Sequence, residues 1–303
     1  MNDFGRAVYE IARKEFMQHM RTRRVLIIGG AIAVLLFTFT LYFGPNIVEN
    51  FRLQGGKISG NSAENLVLAY YFGLAIIGGL AFTVLLSIVM TADAVCSEWS
   101  NKTIFLLLSK PVSRDAFVIG KFVGNVTTIA AVLGTVFTID YILMQFRFDG
   151  SPAGNEVAAF VWTLLILVLG ASAFAAMALF FSTLFRTTIM SMLVSLAMWL
   201  LIFPLIGQIG FFTNLHRLEG VGFDYGSDPA VQRWLYFNPA ADMQSVASLL
   251  IPNDTGTFSE GLRYMGLLSP APENVGLAVL SLAIYAAVFL AGALFVVRRR
   301  NFE

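Results

Sequence analysis

The sequence predicts an all-α membrane protein of six transmembrane helices. An N-terminal cytoplasmic interfacial helix and an external helical segment between spans five and six complete the layout. Three observations carry this. Of the 303 residues, 57% are hydrophobic and only 13% charged, where a soluble domain has roughly 45–50% and about 25%. Mean hydropathy is +0.74. Several apolar runs exceed the roughly 18 residues at which a segment becomes a span candidate. A soluble enzyme, a nucleic-acid binder and a secreted disulfide scaffold all conflict with these values. Net charge is +1, so no global field invites a polyanion and no nucleic acid is expected as a partner. The single cysteine, Cys96, can form no internal disulfide and fits no metal-ligand spacing.

The six apolar segments are Val25–Gly44, Leu66–Thr91, Phe117–Phe146, Val157–Phe181, Thr187–Phe212 and Val275–Val297. A helix rises 1.5 Å per residue, so about 20 residues cross the roughly 30 Å hydrocarbon core. In lipid the backbone must satisfy its own hydrogen bonds, which makes each segment a helix. The third is the longest, and its first turns are expected to project from the bilayer. An even number of spans puts both termini on one side. That side carries 14 of the 20 Lys and Arg residues, among them Arg21, Arg23 and Arg24 before the first span and Arg298–Arg300 after the last. Positive residues favour the cytoplasm, so both termini are expected on the cytoplasmic side of a cell membrane.

About 24 mixed residues precede the first apolar run, and that run lacks a small-residue cleavage site, so the N-terminus is not expected to be a signal peptide. Phe4, Ala7, Val8 and Ile11 fall on one helical face, with Arg6, Arg13 and Lys14 off it. This reads either as an amphipathic helix on the cytoplasmic surface or as a short solvated helix preceding the first span. Residues 25–212 hold spans one to five, and 275–303 hold span six and a basic tail.

Two connections are long enough to carry function. The cytoplasmic one, residues 92–116, contains Asp93, Glu98, Lys102, Lys110, Arg114 and Asp115 together with the apolar run Ile104–Leu108. Glu98 and Lys102 stand i,i+4, which supports a short helix, and Pro111 ends it. Such a loop either touches a partner or lays its leucines in the membrane interface. The external one, residues 213–274, is punctuated by Pro229, Pro239, Pro252, Pro270 and Pro272. Asn238 suits an N-cap and Pro239 a first helical position. Met243, Val246, Leu249 and Leu250 then share a face, giving a helix over 239–251. Trp234, Tyr236 and Phe237 precede it as interfacial anchors.

Some chemistry is missing. Gly55-Gly56-Lys57-Ile58 lacks the spacing and the hydroxyl of a phosphate-binding loop. His19 and His216 are expected on opposite faces of the membrane, so no metal site is proposed. The 11 methionines read as packing filler, and no Ser-His-Asp set is suggested, so no catalytic residue is assigned. Lys121, near the inner end of the third span, is expected to snorkel to the surface. Asp140, 19 residues on, falls near the outer interface. Neither reaches mid-membrane, where a charge would by default suggest ion coupling. The small-residue stretch Gly170–Ala176 permits close helix approach, and Pro204 is expected to kink the fifth span.

The cytoplasmic loop reads Asp93-Ala94-Val95-Cys96-Ser97-Glu98, then Thr103, then Leu106-Leu107-Leu108-Ser109-Lys110-Pro111-Val112-Ser113-Arg114, then Gly120-Lys121-Phe122. This resembles the first cytoplasmic loop of type-2 ATP-binding-cassette (ABC) transporter permeases: an acidic residue, a Glu, Gly-Thr, a leucine run, Pro-Val-Ser-Arg, and Gly-Lys where the next helix starts. Lys102 stands where that pattern has Gly, which makes the loop helix stiffer and more basic. Arg13-Lys14-Glu15-Phe16, followed by Arg21, Arg23 and Arg24, looks like the family's opening helix. Six spans with a long outer segment between the last two match as well.

The resemblance implies a coupling helix that docks on a separate ATPase subunit. Ser97, Glu98, Trp99, Asn101, Lys102, Thr103, Leu106 and Leu107 would form the contact. Asp93, Pro111, Arg114 and Lys121 would shape the loop. ATP and Mg would then sit on the partner, with none on this chain. Paired permeases, most simply a homodimer, would work with paired ATPases in membrane lipid. An exporter is the leading expectation. A mechanotransmitting scaffold serving an external protein partner, as in metalloenzyme maturation, and an ion-gradient-driven carrier are the alternatives.

Overall fold

In the computed structural model the described residues are 3–38, 41–42, 81–100, 113–147, 154–206, 209, 233–234, 236–248 and 274–299. All regular structure among them is helical. Helix α1 spans Asp3–Arg21, with Asp3 in its first turn and His19 and Arg21 in its last, the signs that complement the helix dipole. After a one-residue break α2 runs Arg23–Thr38. Helix α3 covers 81–91, and a turn leads to the short α4, Cys96–Ser100. Then come α5 (Arg114–Arg147), α6 (Gly154–Leu184) and α7 (Thr188–Ala197), which continues through a π-helical turn, Met198–Ile202. Helix α8 is Pro239–Ser248 and α9 is Val275–Arg299.

Among the described residues, five helices are long and apolar enough to cross a membrane: Ala81–Ser100, Arg114–Leu143, Phe160–Leu184, Thr188–Ile206 and Val275–Arg299. A shorter apolar helix, Val25–Thr38, stands where the first of six spans is predicted. Most of the remainder of that stretch, and the first part of the predicted second span, lie outside the described residues. Helix α5 begins three residues before the predicted Phe117, because Ser113 caps it. The Ser113 Oγ accepts a hydrogen bond from the Ala116 N–H at 3.2 Å. Its 34 residues extend about 50 Å, well beyond the bilayer core. The π-helical turn directly precedes Pro204, and there the Phe203 N–H reaches back five residues to the Met198 carbonyl. Proline supplies no N–H and crowds the preceding turn, which is the physical reason for widening there.

The largest core cluster joins Ile32 and Leu36 of α2, Leu86 and Met90 of α3, Ile129, Leu133 and Phe137 of α5, and Leu167 and Ala171 of α6. It extends to Met243 of α8 and Leu282 of α9. A second, smaller cluster gathers Val95, Phe117, Val118, Leu179, Ala293 and Val297. Helices α7 and α9 keep most of their apolar surface outward. Leu193, Leu200, Leu201, Leu280, Ile284 and Val288 are all exposed. An exterior of this kind suits hydrocarbon as its solvent.

Helix α8 sits between α6 and α9. The Asn238 Oδ1 accepts from the Ala240 N–H at 3.1 Å and from the Ala241 N–H at 3.4 Å, so the start signal in the sequence and the start of the helix coincide. Met243 is fully buried, its sulfur seated where Gly170 lacks a side chain. The Ser281 hydroxyl donates to the Asp242 carboxyl, and the Tyr285 hydroxyl donates to the Phe237 carbonyl at 2.7 Å. Burial pushes the Asp242 carboxyl up to about 7, with the Ser281 hydrogen bond opposing part of that rise.

Candidate functional site

The described residues on either side of 101–112, in the loop that carries the resemblance, are both anchored in the bundle. At the entry, the Ser182 Oγ of α6 accepts from the N–H groups of Val95 and Cys96, at 3.0 and 3.1 Å. It thereby satisfies donors that the first turn of α4 leaves open. The Cys96 Sγ–H lies 3.1 Å from the Ser182 carbonyl and 3.2 Å from the Phe185 carbonyl. The Ser97 hydroxyl donates to the Asp93 carbonyl at 2.6 Å, closing the turn. The Arg186 guanidinium lies 5.4 Å from the Trp99 ring centroid, a cation–π contact between α4 and the α6–α7 elbow.

The charged centre of the entry is a triad. The Lys121 Nζ of α5 stands 2.8 Å from the Glu15 Oε1 of α1 and 2.9 Å from the Glu98 Oε1 of α4. The three side chains are only 3%, 7% and 11% exposed, in that order. Lys14 approaches Glu98 at 3.8 Å, and the His19 Nε2 approaches Glu15 at 4.0 Å. The Phe117 ring adds a face 5.2 Å from the ammonium. The expectation that Lys121 snorkels is overturned: a buried ammonium needs compensating charge, and the two carboxylates provide it inside the fold. Glu98, expected as an outward contact point, is likewise turned into the bundle.

Two glycines let α1 come this close to α5. A Cβ on Gly120 would lie 2.7 Å from the Ile11 Cβ, and one on Gly124 would lie 2.7 Å from the Glu15 Cβ. Real side-chain carbons do not approach so near, so only glycine fits at either place. The apolar stripe of α1, Val8 and Ile11 included, is therefore covered by protein at its centre. One turn beyond Lys121, Asn125 is fully buried, and neither atom of its amide has a hydrogen-bond partner.

At the loop's exit, the Arg114 Nη1 donates to the carbonyls of Val297 and Arg298, at 3.4 and 3.0 Å. A cation at the C-terminus of α9 satisfies open carbonyls and complements the dipole. Asp115 accepts two hydrogen bonds from Arg298, at 2.7 and 2.5 Å, in the paired geometry favoured by a guanidinium and a carboxylate.

Of the residues expected to shape or form the loop contact, Asp93, Ser97, Glu98, Trp99, Arg114 and Lys121 are thus gathered at its two ends. Asn101, Lys102, Thr103, Leu106, Leu107 and Pro111 lie outside the described residues. Sequence reasoning missed Glu15, His19, Ser182 and Arg298 as members of this region. The Gly120-x-x-x-Gly124 spacing is a close-approach signal that could have placed a helix over Lys121. Among the described residues, no three His, Cys, Asp or Glu side chains converge as metal ligands.

Among the described residues, an all-helical bundle with an apolar exterior and charged anchors on both sides of residues 101–112 defines the class. The chain belongs to the ABC-2 family of transporter proteins, whose family model matches residues 9–300. It is a multi-pass membrane protein. Among curated proteins it is similar to the "Probable ABC transporter permease protein NosY" of Stutzerimonas stutzeri, with 25% identity over 293 residues, which is 97% of this chain and 98% of that protein.

Proposed function

We propose that this chain is the permease subunit of an ABC exporter, driven by a separate ATPase subunit through the cytoplasmic elbow. Family membership and the permease name of the NosY relative support the class. The observation that supports the mechanism is the anchorage of the described residues on both sides of 101–112. The entry side is tied to α1, α5 and α6, and the exit side to α9. A push on a loop held only by flexible connectors would be absorbed there. Here it reaches four helices at once, as rigid-body rocking requires. In this reading Ser97, Trp99, Asn101, Lys102, Thr103, Leu106 and Leu107 meet the ATPase, while Glu98 holds the base of the coupling helix. ATP and Mg belong to the partner, and this chain has no catalytic role. Six spans, both termini in the cytoplasm of a cell membrane, and a homodimer complete the proposal.

One observation favours a second reading, a mechanotransmitting scaffold serving an external partner. Helix α8 of the outer segment is seated in the bundle between α6 and α9, so motion of those helices reaches the outer face directly. The third alternative, an ion-gradient carrier, gains nothing from Lys121, whose charge is already compensated at the cytoplasmic end.

The test is a pull-down of the natively expressed complex, followed by transport in vesicles. The proposal expects a nucleotide-hydrolysing partner, with transport lost when Glu98 and Leu107 are replaced together. Transport by the isolated chain without ATP contradicts it. An ATP-hydrolysing complex that moves no solute favours the scaffold.

A further inference from the structure

We propose that Asp242 is a proton-binding site that latches helix α8: the helix is seated with this carboxyl protonated, and lifting it from the bundle releases one proton.

Two separate observations support this. The first is a count of protons. The Ser281 Oγ lies against two oxygens, the Asp242 Oδ2 and the Ala278 carbonyl, the latter at 2.8 Å. A hydroxyl has one hydrogen to donate and two lone pairs with which to accept. With Asp242 ionised, that hydrogen serves one of the two oxygens and leaves the other facing a lone pair. With Asp242 protonated, the carboxyl donates to Ser281, Ser281 donates to Ala278, and both contacts are satisfied.

The second is what surrounds the carboxyl. Asp242 is 1% exposed, and among the described residues no cation pairs with it. Helix α8 packs against α6 and α9. Residues 157–184 of α6 hold no titratable side chain, and the charges of α9, Arg298 and Arg299, stand in its last turn, 17 and 18 residues beyond Ser281. Tyr285 of α9 is the titratable neighbour, and its hydroxyl is committed to the Phe237 carbonyl at 2.7 Å. Helix α5, which joins the same apolar cluster through Phe137, carries Asp140 three residues on, a like charge. An ionised carboxylate in this place is unpaired and out of water, which is costly. Off the bundle, in water, the same group ionises freely. Seating and proton uptake are therefore one equilibrium, firmest at acid pH and weakening as pH rises towards about 7. Lifting α8 takes the Met243 sulfur off Gly170 of α6, so the proton governs access to the bundle at that end.

The test uses the full chain in lipid nanodiscs, between about pH 5 and about pH 8. The infrared C=O stretch of a protonated carboxyl should be present at the acid end, fade towards the alkaline end, and be missing from Asp242→Asn. Val246 is buried while α8 is seated, so maleimide labelling of Val246→Cys reports lifting. Each rate is divided by that of the denatured chain at the same pH, and the chain with Cys96 alone supplies the background. The normalised rate should rise about tenfold across the range and should not vary with pH once Asp242→Asn is added. Ser281→Ala removes the donor that favours the ionised carboxyl, so it should move the midpoint of the profile upward; it decides the matter if Asp242→Asn does not fold. A flat profile in Val246→Cys alone, a slope that survives Asp242→Asn, or a midpoint unmoved by Ser281→Ala overturns the latch.

Discussion

The two ends of the bundle are held by different physics. At the end that carries residues 93–100 and 113–121, helices remote in sequence meet through charge: the Glu15–Lys121–Glu98 triad, the Asp115–Arg298 pair, and Arg114 on the last carbonyls of α9. At the opposite end, α8 is held mainly by shape, with Met243 filling the space over Gly170 and Val246 in the same apolar cluster. Its carboxyl anchor is Asp242, on the Ser281 hydroxyl. Charged contacts are directional and fail sharply when one partner is lost, whereas apolar contacts degrade in proportion to the volume removed. A coupling elbow needs the first property and a seated plug needs the second.

The sharpest break falls at the charged end. Lys121→Met leaves two buried carboxylates facing each other, and losing one partner of a buried ion pair costs about 3–5 kcal/mol. We expect a large fall in thermal midpoint and in detergent-solubilised yield. Co-replacing Glu15 and Glu98 by Gln should recover most of it. A thermal melt of the purified chain in each background checks this.

Next comes the plug formed by α8. Met243→Ala removes a fully buried side chain and should cost about 2–5 kcal/mol of local stability, depending on how far the site collapses. Gly170→Leu should eject α8, because even a Cβ there meets the Met243 sulfur. Hydrogen exchange over Pro239–Ser248 should rise in both variants while exchange at Cys96–Ser100 stays unchanged. Coupled changes at both ends would dissolve the contrast.

A smaller effect is the pH dependence of the plug. Burial raises the Asp242 carboxyl from its ordinary value of 3.8 to about 7 in the folded state. The folded chain then binds more protons than the unfolded one between those values, so stability falls as pH rises through that window and levels off above it. Protection of α8 against hydrogen exchange, taken relative to the intrinsic rate at each pH, should fall from about pH 4 to about pH 7, and Asp242→Asn should flatten that profile. The smallest effect is at Arg298, whose pair with Asp115 is largely exposed. Arg298→Ala should change the thermal midpoint very little at moderate salt, since exposed pairs are screened.

The same contrast marks what could be read from the sequence. The predicted fourth and sixth segments, Val157–Phe181 and Val275–Val297, lie inside α6 and α9, because long apolar runs announce their own state. Asn238-Pro239 announced the start of α8 through local capping chemistry, and Gly170 announced a close approach. The stripe of Val8 and Ile11 was legible too, though not what covers it. Lys121 was misread because its partners lie 106 residues before it and 23 residues before it, beyond the reach of periodicity. The inward turn of Glu98 was hidden for the same reason. A spacing of i,i+4 pointed to Lys102, whereas the bundle supplies Lys121.

Whether a foreign motor pulls on the elbow can be tested most directly by photocrosslinking from position 99, with a benzophenone amino acid replacing Trp99 in cells that express the chain natively. The account predicts a single dominant adduct with a nucleotide-hydrolysing protein, its yield changing when ATP is trapped. Adducts with lipid alone, in membranes where the chain remains fully active, would contradict it.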